Sequence, residues 1–190
     1  NGAMAFGFDI TGLIKPAPAE NVLAVRTNNN WDYREKATNS KFQWSDRNFN
    51  ANYGGIPKNV KLHITDKLYQ TLPLYSTLGT TGVYIYAQDF DIPGKTAHIT
   101  AESQVRNEYP VAKTFEYEVV LTETDGTEVA KFKGYPCTIA PGGTSIVRAS
   151  KKVKGLNFWS WGYGYLYDIF TILKVDGTAV DVAKPRTGSH

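Results

Sequence analysis

The sequence holds a single cysteine, Cys137, in 190 residues. That excludes an internal disulfide framework and any metal site built from several thiolates. In its apolar, strand-like run the lone thiol reads as a buried small hydrophobe. No apolar run approaches the roughly 18 to 20 residues of a membrane-spanning helix. Residues 1–10 have neither the basic start nor the long apolar stretch of a secretory signal, as expected of a chain excised from a longer one. Charge is scarce, at 21% of residues, and 21 basic side chains barely exceed 18 acids. The densest basic spot, Lys151-Lys152 with Lys154, reads as a solvated strand face and not as a stripe for nucleic acid. His63 and His98 have no histidine or cysteine partner at ligand spacing, so no metal site is expected. No glycine-rich phosphate loop, nucleophile elbow or Ser-His-Asp order is readable, and no cofactor is expected.

What is present is hydrophobic content, 42% with 13% aromatic, arranged with a period of two. Ala97, Ile99, Ala101 and Val105 alternate with His98, Thr100, Glu102, Gln104 and Arg106, the pattern of a half-buried strand. Phe115, Tyr117, Val119 and Leu121 repeat it, as do Tyr165, Tyr167, Ile169, Thr171, Leu173 and Val175. Turn signals fall between these runs at Asp125-Gly126, Pro141-Gly142-Gly143 and Asp176-Gly177. No long stretch carries a helical stripe. The reading is all-β: an immunoglobulin-like β-sandwich with strands at 83–90, 95–105, 114–122, 128–139, 145–153 and 165–175, and a short one at 179–182. Before it, strands are expected at 4–10, 21–27 and 58–65, with a polar stretch at 28–52 that is long for a structureless loop.

The chain divides on this reading into residues 1–72, 73–177 and a tail at 178–190. The first segment has too few strands to close a two-sheet sandwich, so one apolar face would lack a cover. The expectation is a chain that starts inside a larger domain, its open face covered by the second domain or by a second copy, which makes self-association an expected behaviour.

Several phrases in order carry a resemblance. Ala5-Phe6-Gly7-Phe8-Asp9-Ile10-Thr11, then Glu20-Asn21-Val22-Leu23-Ala24-Val25-Arg26, then Tyr53-Gly54-Gly55-Ile56 running into Asn59-Val60-Lys61-Leu62, resemble the accessory sugar-binding domain of family 2 glycoside hydrolases. Leu156, Phe158-Trp159-Ser160 and Tyr165-Leu166-Tyr167 resemble the last part of that family's first immunoglobulin-like domain. The likeness covers nearly the whole chain and is closest to the β-galactosidase type. It implies the C-terminal part of a jelly-roll-like sugar-binding sandwich followed by an immunoglobulin-like sandwich, with the barrel that carries two catalytic glutamates missing. The implied partners are that catalytic barrel of the same parent chain and, in the intact enzyme, a β-glycoside. The sequence itself carries no compartment signal, and the resemblance favours the periplasm or the exterior.

Candidate chemistry is thin. Asn107-Glu108 echoes the family's acid/base dipeptide but lies between a sandwich strand and a Tyr-Pro turn, and Glu116 with Glu118 reads as an exposed strand face. No catalytic residue is assigned. The richest stretch is 42–50, where the family places a loop at the barrel's mouth; the resemblance implies substrate contact for Trp44, Asp46, Arg47 and Asn48. An ordered surface loop with Asp and Asn in local turns accounts for the same residues. Trp159, Trp161, Tyr163, Tyr165 and Tyr167 form the densest aromatic cluster. It reads as a structural lead-in to the last long strand, with an autonomous carbohydrate-binding module as the alternative.

Overall fold

Alternating apolar and polar side chains need a second sheet against which to bury one face. The computed structural model describes residues 6–27, 39, 55–56, 58–73 and 78–188. The chain forms two units, Asn1–His63 and Ile64–His190.

The second unit is a β-sandwich of antiparallel strands. In chain order these are β1 (Leu68–Gln70), β2 (Val83–Asp91), β3 (Thr96–Asn107), β4 (Lys113–Thr122), β5 (Glu128–Lys133), β6 (Cys137–Ile139), β7 (Thr144–Lys154), β8 (Tyr167–Val175), β9 (Thr178–Ala183) and β10 (Arg186–Thr187). In the first sheet β3 is central, with β7 along one side and β2 and β1 sharing the other. In the second, β4 and β8 form the central pair. There β5 and β6 follow one another along β4, and β9 and β10 along β8.

The core lies where the period of two points inward. Ala97, Ile99, Ala101 and Val105 of β3 face Phe115, Tyr117, Val119 and Leu121 of β4 and Tyr167, Ile169 and Leu173 of β8, all buried in one cluster. Each large side chain so buried contributes about 1.5–3 kcal/mol. Alternation holds along the central strands because each has paired neighbours on both sides, and only one of its faces meets the opposite sheet.

Three departures from the sequence reading have local causes. The expected strand at 128–139 breaks into β5 and β6, because Gly134 donates its N–H to Tyr117 O at 2.9 Å and Pro136 has no N–H to give. On the resulting three-residue edge strand, Cys137 is half-buried, where a buried thiol was expected. The strand β1 escaped the reading altogether: Leu-Tyr-Gln is too short to show a period, and pairing with Val105, Arg106 and Asn107 is what makes it a strand.

In the first unit, the described residues of the expected strands at 4–10 and 21–27, and those at 58–65 across the unit boundary, carry no strand. A strand exists only through a ladder partner. Val60, Leu62 and Ile64 keep the alternating pattern yet are exposed. Local bonds organise the segment before them: Leu13 N and Ile14 N donate to Ile10 O, while Lys15 N donates to Asn21 Oδ1 and Asn21 Nδ2 returns a bond to Lys15 O.

Candidate functional site

Trp44, Asp46, Arg47 and Asn48, the residues expected to meet substrate, lie outside the described residues. The other candidate positions can be placed. Asn107 ends β3 fully buried, and its side-chain amide donates to Val111 O and Ile139 O at 2.9 Å each, while its carbonyl accepts from Tyr109 N at 3.0 Å. It clamps the turn after β3. Glu108 accepts from Arg106 Nε at 2.9 Å and from Tyr69 OH at 3.1 Å.

Glu116 and Glu118 face outward from β4, but the exposed face expected of both holds only for Glu116. Glu118 is 2% exposed. Lys174 Nζ on β8 stands 2.7 Å from its carboxylate and Lys131 Nζ on β5 stands 3.3 Å away, so long side chains of two neighbouring strands fold over it. Burial pushes the Glu118 carboxyl up, yet the hydrogen bonds and charges of Lys174 and Lys131 outweigh it and hold the group below its ordinary value.

Across the same sheet, Asp168 is 4% exposed. Arg186 Nε lies 2.7 Å from one carboxylate oxygen and Lys184 Nζ 2.9 Å from the other. Hydrogen bonds from Arg186 and then Lys184 pull its pKa down to about 2. Between the ordinary carboxylate range near pH 4 and about pH 2, the unfolded chain takes up a proton that the folded chain refuses. Stability from Asp168 is therefore complete above about pH 4 and drains away as acid approaches the folded pKa. Thermal melts from pH 7 down to pH 2 should show the midpoint falling below about pH 4, and the fall should be shallower in Asp168→Asn. A wild-type midpoint independent of acid would contradict this assignment.

Between the sheets runs a polar chain that sequence reasoning missed. Gln70 on β1 accepts at Oε1 from Ser103 Oγ at 2.8 Å and from Thr171 Oγ1 at 2.6 Å. Its amide donates to Thr171 O and to Asp181 Oδ2, each at 3.0 Å. Ser103 is also 2.7 Å from Tyr117 OH, whose burial pushes its pKa up to about 12. The sequence signals were Thr171 and Ser103, polar residues at inward positions of two otherwise apolar alternations.

The aromatic cluster is the most exposed chemistry among the described residues. Ser160 and Tyr163 exchange backbone hydrogen bonds at 2.9 Å in both directions, closing a two-residue turn of Trp161 and Gly162. Gly162 sits at φ 78°, a conformation that glycine adopts without strain. Tyr167 is buried at the base, whereas Trp161 at the tip is 96% exposed. The structural lead-in expected from sequence thus describes the base of the cluster and fails for its tip.

A family model described as glycosyl hydrolases family 2 matches residues 82–189, the greater part of the sandwich unit. The chain belongs to glycosyl hydrolase family 2. A β-glucuronidase of Formosa agariphila is 32% identical to this family 2 chain over 189 residues, 98% of the chain but 19% of the relative. The chain thus spans about a fifth of the length of the curated relative it matches. Among solved structures, a β-glucuronidase from glycoside hydrolase family 2 matches at a TM-score of 0.62 and 28% identity, over 66% of this chain and 13% of its own. A putative β-galactosidase from Bacteroides fragilis matches at 0.55 and 23%, over 65% of this chain and 18% of its own, which speaks to the fold alone. The family expected from sequence is therefore shown, and the β-galactosidase type within it is not singled out. The chain resembles a non-catalytic region of such enzymes.

Proposed function

We propose that this chain is a non-catalytic accessory region of a longer family 2 glycoside hydrolase, one that braces the catalytic barrel and lends a loop bearing Trp44, Asp46, Arg47 and Asn48 to the sugar pocket. One observation carries the reading: identity of 32% runs along 98% of this chain while covering only 19% of a β-glucuronidase. The division into a sugar-binding part at 1–72, a sandwich at 73–177 and a lead-out at 178–190 belongs to the same proposal.

On this reading the longer protein hydrolyses a terminal β-glycoside with a carboxyl pair about 5 to 5.5 Å apart, set in its barrel. The described carboxylates support an accessory role for this region, since Glu108, Glu116, Glu118 and Asp168 are each held by a lysine or arginine. A β-glucuronide stands ahead of a β-galactoside as substrate, because two of the relatives are β-glucuronidases. Arg47 suits a sugar acid, whose carboxylate a planar guanidinium can bind with two parallel hydrogen bonds.

The purified chain should release no p-nitrophenol from p-nitrophenyl β-D-glucuronide or β-D-galactoside. Hydrolysis that stays with the chain through purification would overturn the accessory role. In the longer protein, Arg47→Ala should raise KM for the glucuronide about tenfold with Tm unchanged. An unchanged KM would remove the loop from the pocket.

A further inference from the structure

The turn between β7 and β8 carries a second group of candidate residues. Residues 157–166 contain no charged side chain. Within them Trp161 is 96% exposed, Tyr163 50%, Leu166 43% and Trp159 41%. A tryptophan left almost wholly in water on an uncharged projection is a marker of an interaction surface.

The rings that flank Trp161 are held, not loose. Tyr163 stacks on Tyr165 with centroids 5.9 Å apart and planes 26° apart, and Tyr165 meets Tyr167 at 5.2 Å. Tyr165 OH donates to Glu123 at 2.7 Å, and buried Tyr167 accepts from Asn157 N at 2.7 Å, so a ladder of tyrosines ties the turn to the core. On the other side, the Trp159 indole lies 3.5 Å from the position a Cβ would take on Gly164, and the Trp159 Cβ lies 3.7 Å from that position on Gly188. The paired bonds between Ser160 and Tyr163 fix the backbone under Trp161. The flanking rings on such a support lose little freedom on binding, and the backbone that carries Trp161 is already fixed.

The geometry points to a contact site for neutral sugar residues of a glycan, with Trp161 as the stacking ring and Tyr163 beside it. A pyranose presents a face of C–H groups and a rim of hydroxyls; an indole or phenol ring offers an apolar face with one polar atom at its edge, which matches both. Residues 157–166 hold no lysine or arginine, so the turn itself offers no cation to the carboxylate of a sugar acid. Tryptophan, tyrosine, serine, asparagine and glycine, with one phenylalanine and one leucine, form a surface of rings and adaptable polar groups, whereas a protein-docking core would be richer in aliphatics. The site would hold a polysaccharide strand beside the enzyme, separate from the bond being cleaved.

The test is a calorimetric titration of the purified chain with cellohexaose, a β-1,4-galactohexaose and a glucuronate hexasaccharide. At least one neutral hexaose should bind saturably at concentrations below about 10 mM, and the uronate about tenfold more weakly. Trp161→Ala should weaken that binding by about tenfold or more, as for a central aromatic anchor, with the thermal midpoint unchanged. Trp161→Phe should retain part of the affinity. No binding of a neutral hexaose, or binding undiminished in Trp161→Ala, overturns the site. So does a sedimentation profile in which wild type associates and Trp161→Ala does not, because the tip would then be a contact between copies of the chain.

Discussion

Gln70→Ala should destabilise the sandwich unit by about 3 kcal/mol, because it takes a partner from several buried polar groups at once. Gln70 is 5% exposed, and Ser103, Thr171 and Tyr117 are 0% exposed. With the glutamine gone, Thr171 O loses its amide donor, the hydroxyls of Ser103 and Thr171 lose their shared acceptor, and Asp181 loses one of its two hydrogen bonds from Gln70. Water cannot repair the loss at positions so enclosed. The cost is polar rather than steric, so Gln70→Met, which restores the volume, should recover less than half of it. In a cycle with Thr171→Val the double variant should cost about 1 kcal/mol less than the sum of the two, since each change partly removes the reason for the other's cost. Urea unfolding followed by circular dichroism measures all of these. A loss below about 1 kcal/mol for Gln70→Ala would mean that β1 detaches cheaply and the network does not fasten it.

Gly82→Ala should cost a similar amount, about 3 kcal/mol, from two separable sources. Gly82 sits at φ 65°, and a Cβ there would lie 2.4 Å from Pro73 N, 2.5 Å from its Cα and 2.7 Å from its Cβ. The backbone cannot easily yield, because Gly82 N donates to Thr71 Oγ1 at 3.1 Å and Gly82 O accepts from Gln104 N at 2.9 Å. Gly126 isolates the conformational part: it has φ 93°, and a Cβ added there would meet nothing within 4 Å. Gly126→Ala should cost only about 1–2 kcal/mol. If the two substitutions prove equal, crowding at Pro73 contributes nothing.

How far the sequence could be read depended on where the information sits. The strands β3, β4 and β8 were legible because each is long enough to show a period of two and each is flanked by turn residues. The break at Gly134 and Pro136 was written in the residues but is readable as a break only once Tyr117 is seen to accept the Gly134 N–H. Alternation at 58–65 looked like that of β3, and its side chains remain exposed. The pattern states which face could be buried; it does not supply the sheet that would bury it. The loop residues Trp44, Asp46, Arg47 and Asn48 came from a resemblance and lie outside the described residues.

Sequence alone determined the all-β class, the family and the core strands. These are properties of period, composition and ordered short phrases, which local chemistry fixes. Tertiary structure decided the burial of Glu118, the bond network of Gln70 and the exposure of Trp161. Glu118 is covered by lysines from two other strands. Gln70 finds its partners 33 and 101 residues away. Trp161 is exposed because the turn that carries it points away from the core, while Tyr167, in the same aromatic run, points into it. Environment in each case is set by residues distant along the chain, and no local pattern encodes which of them will meet.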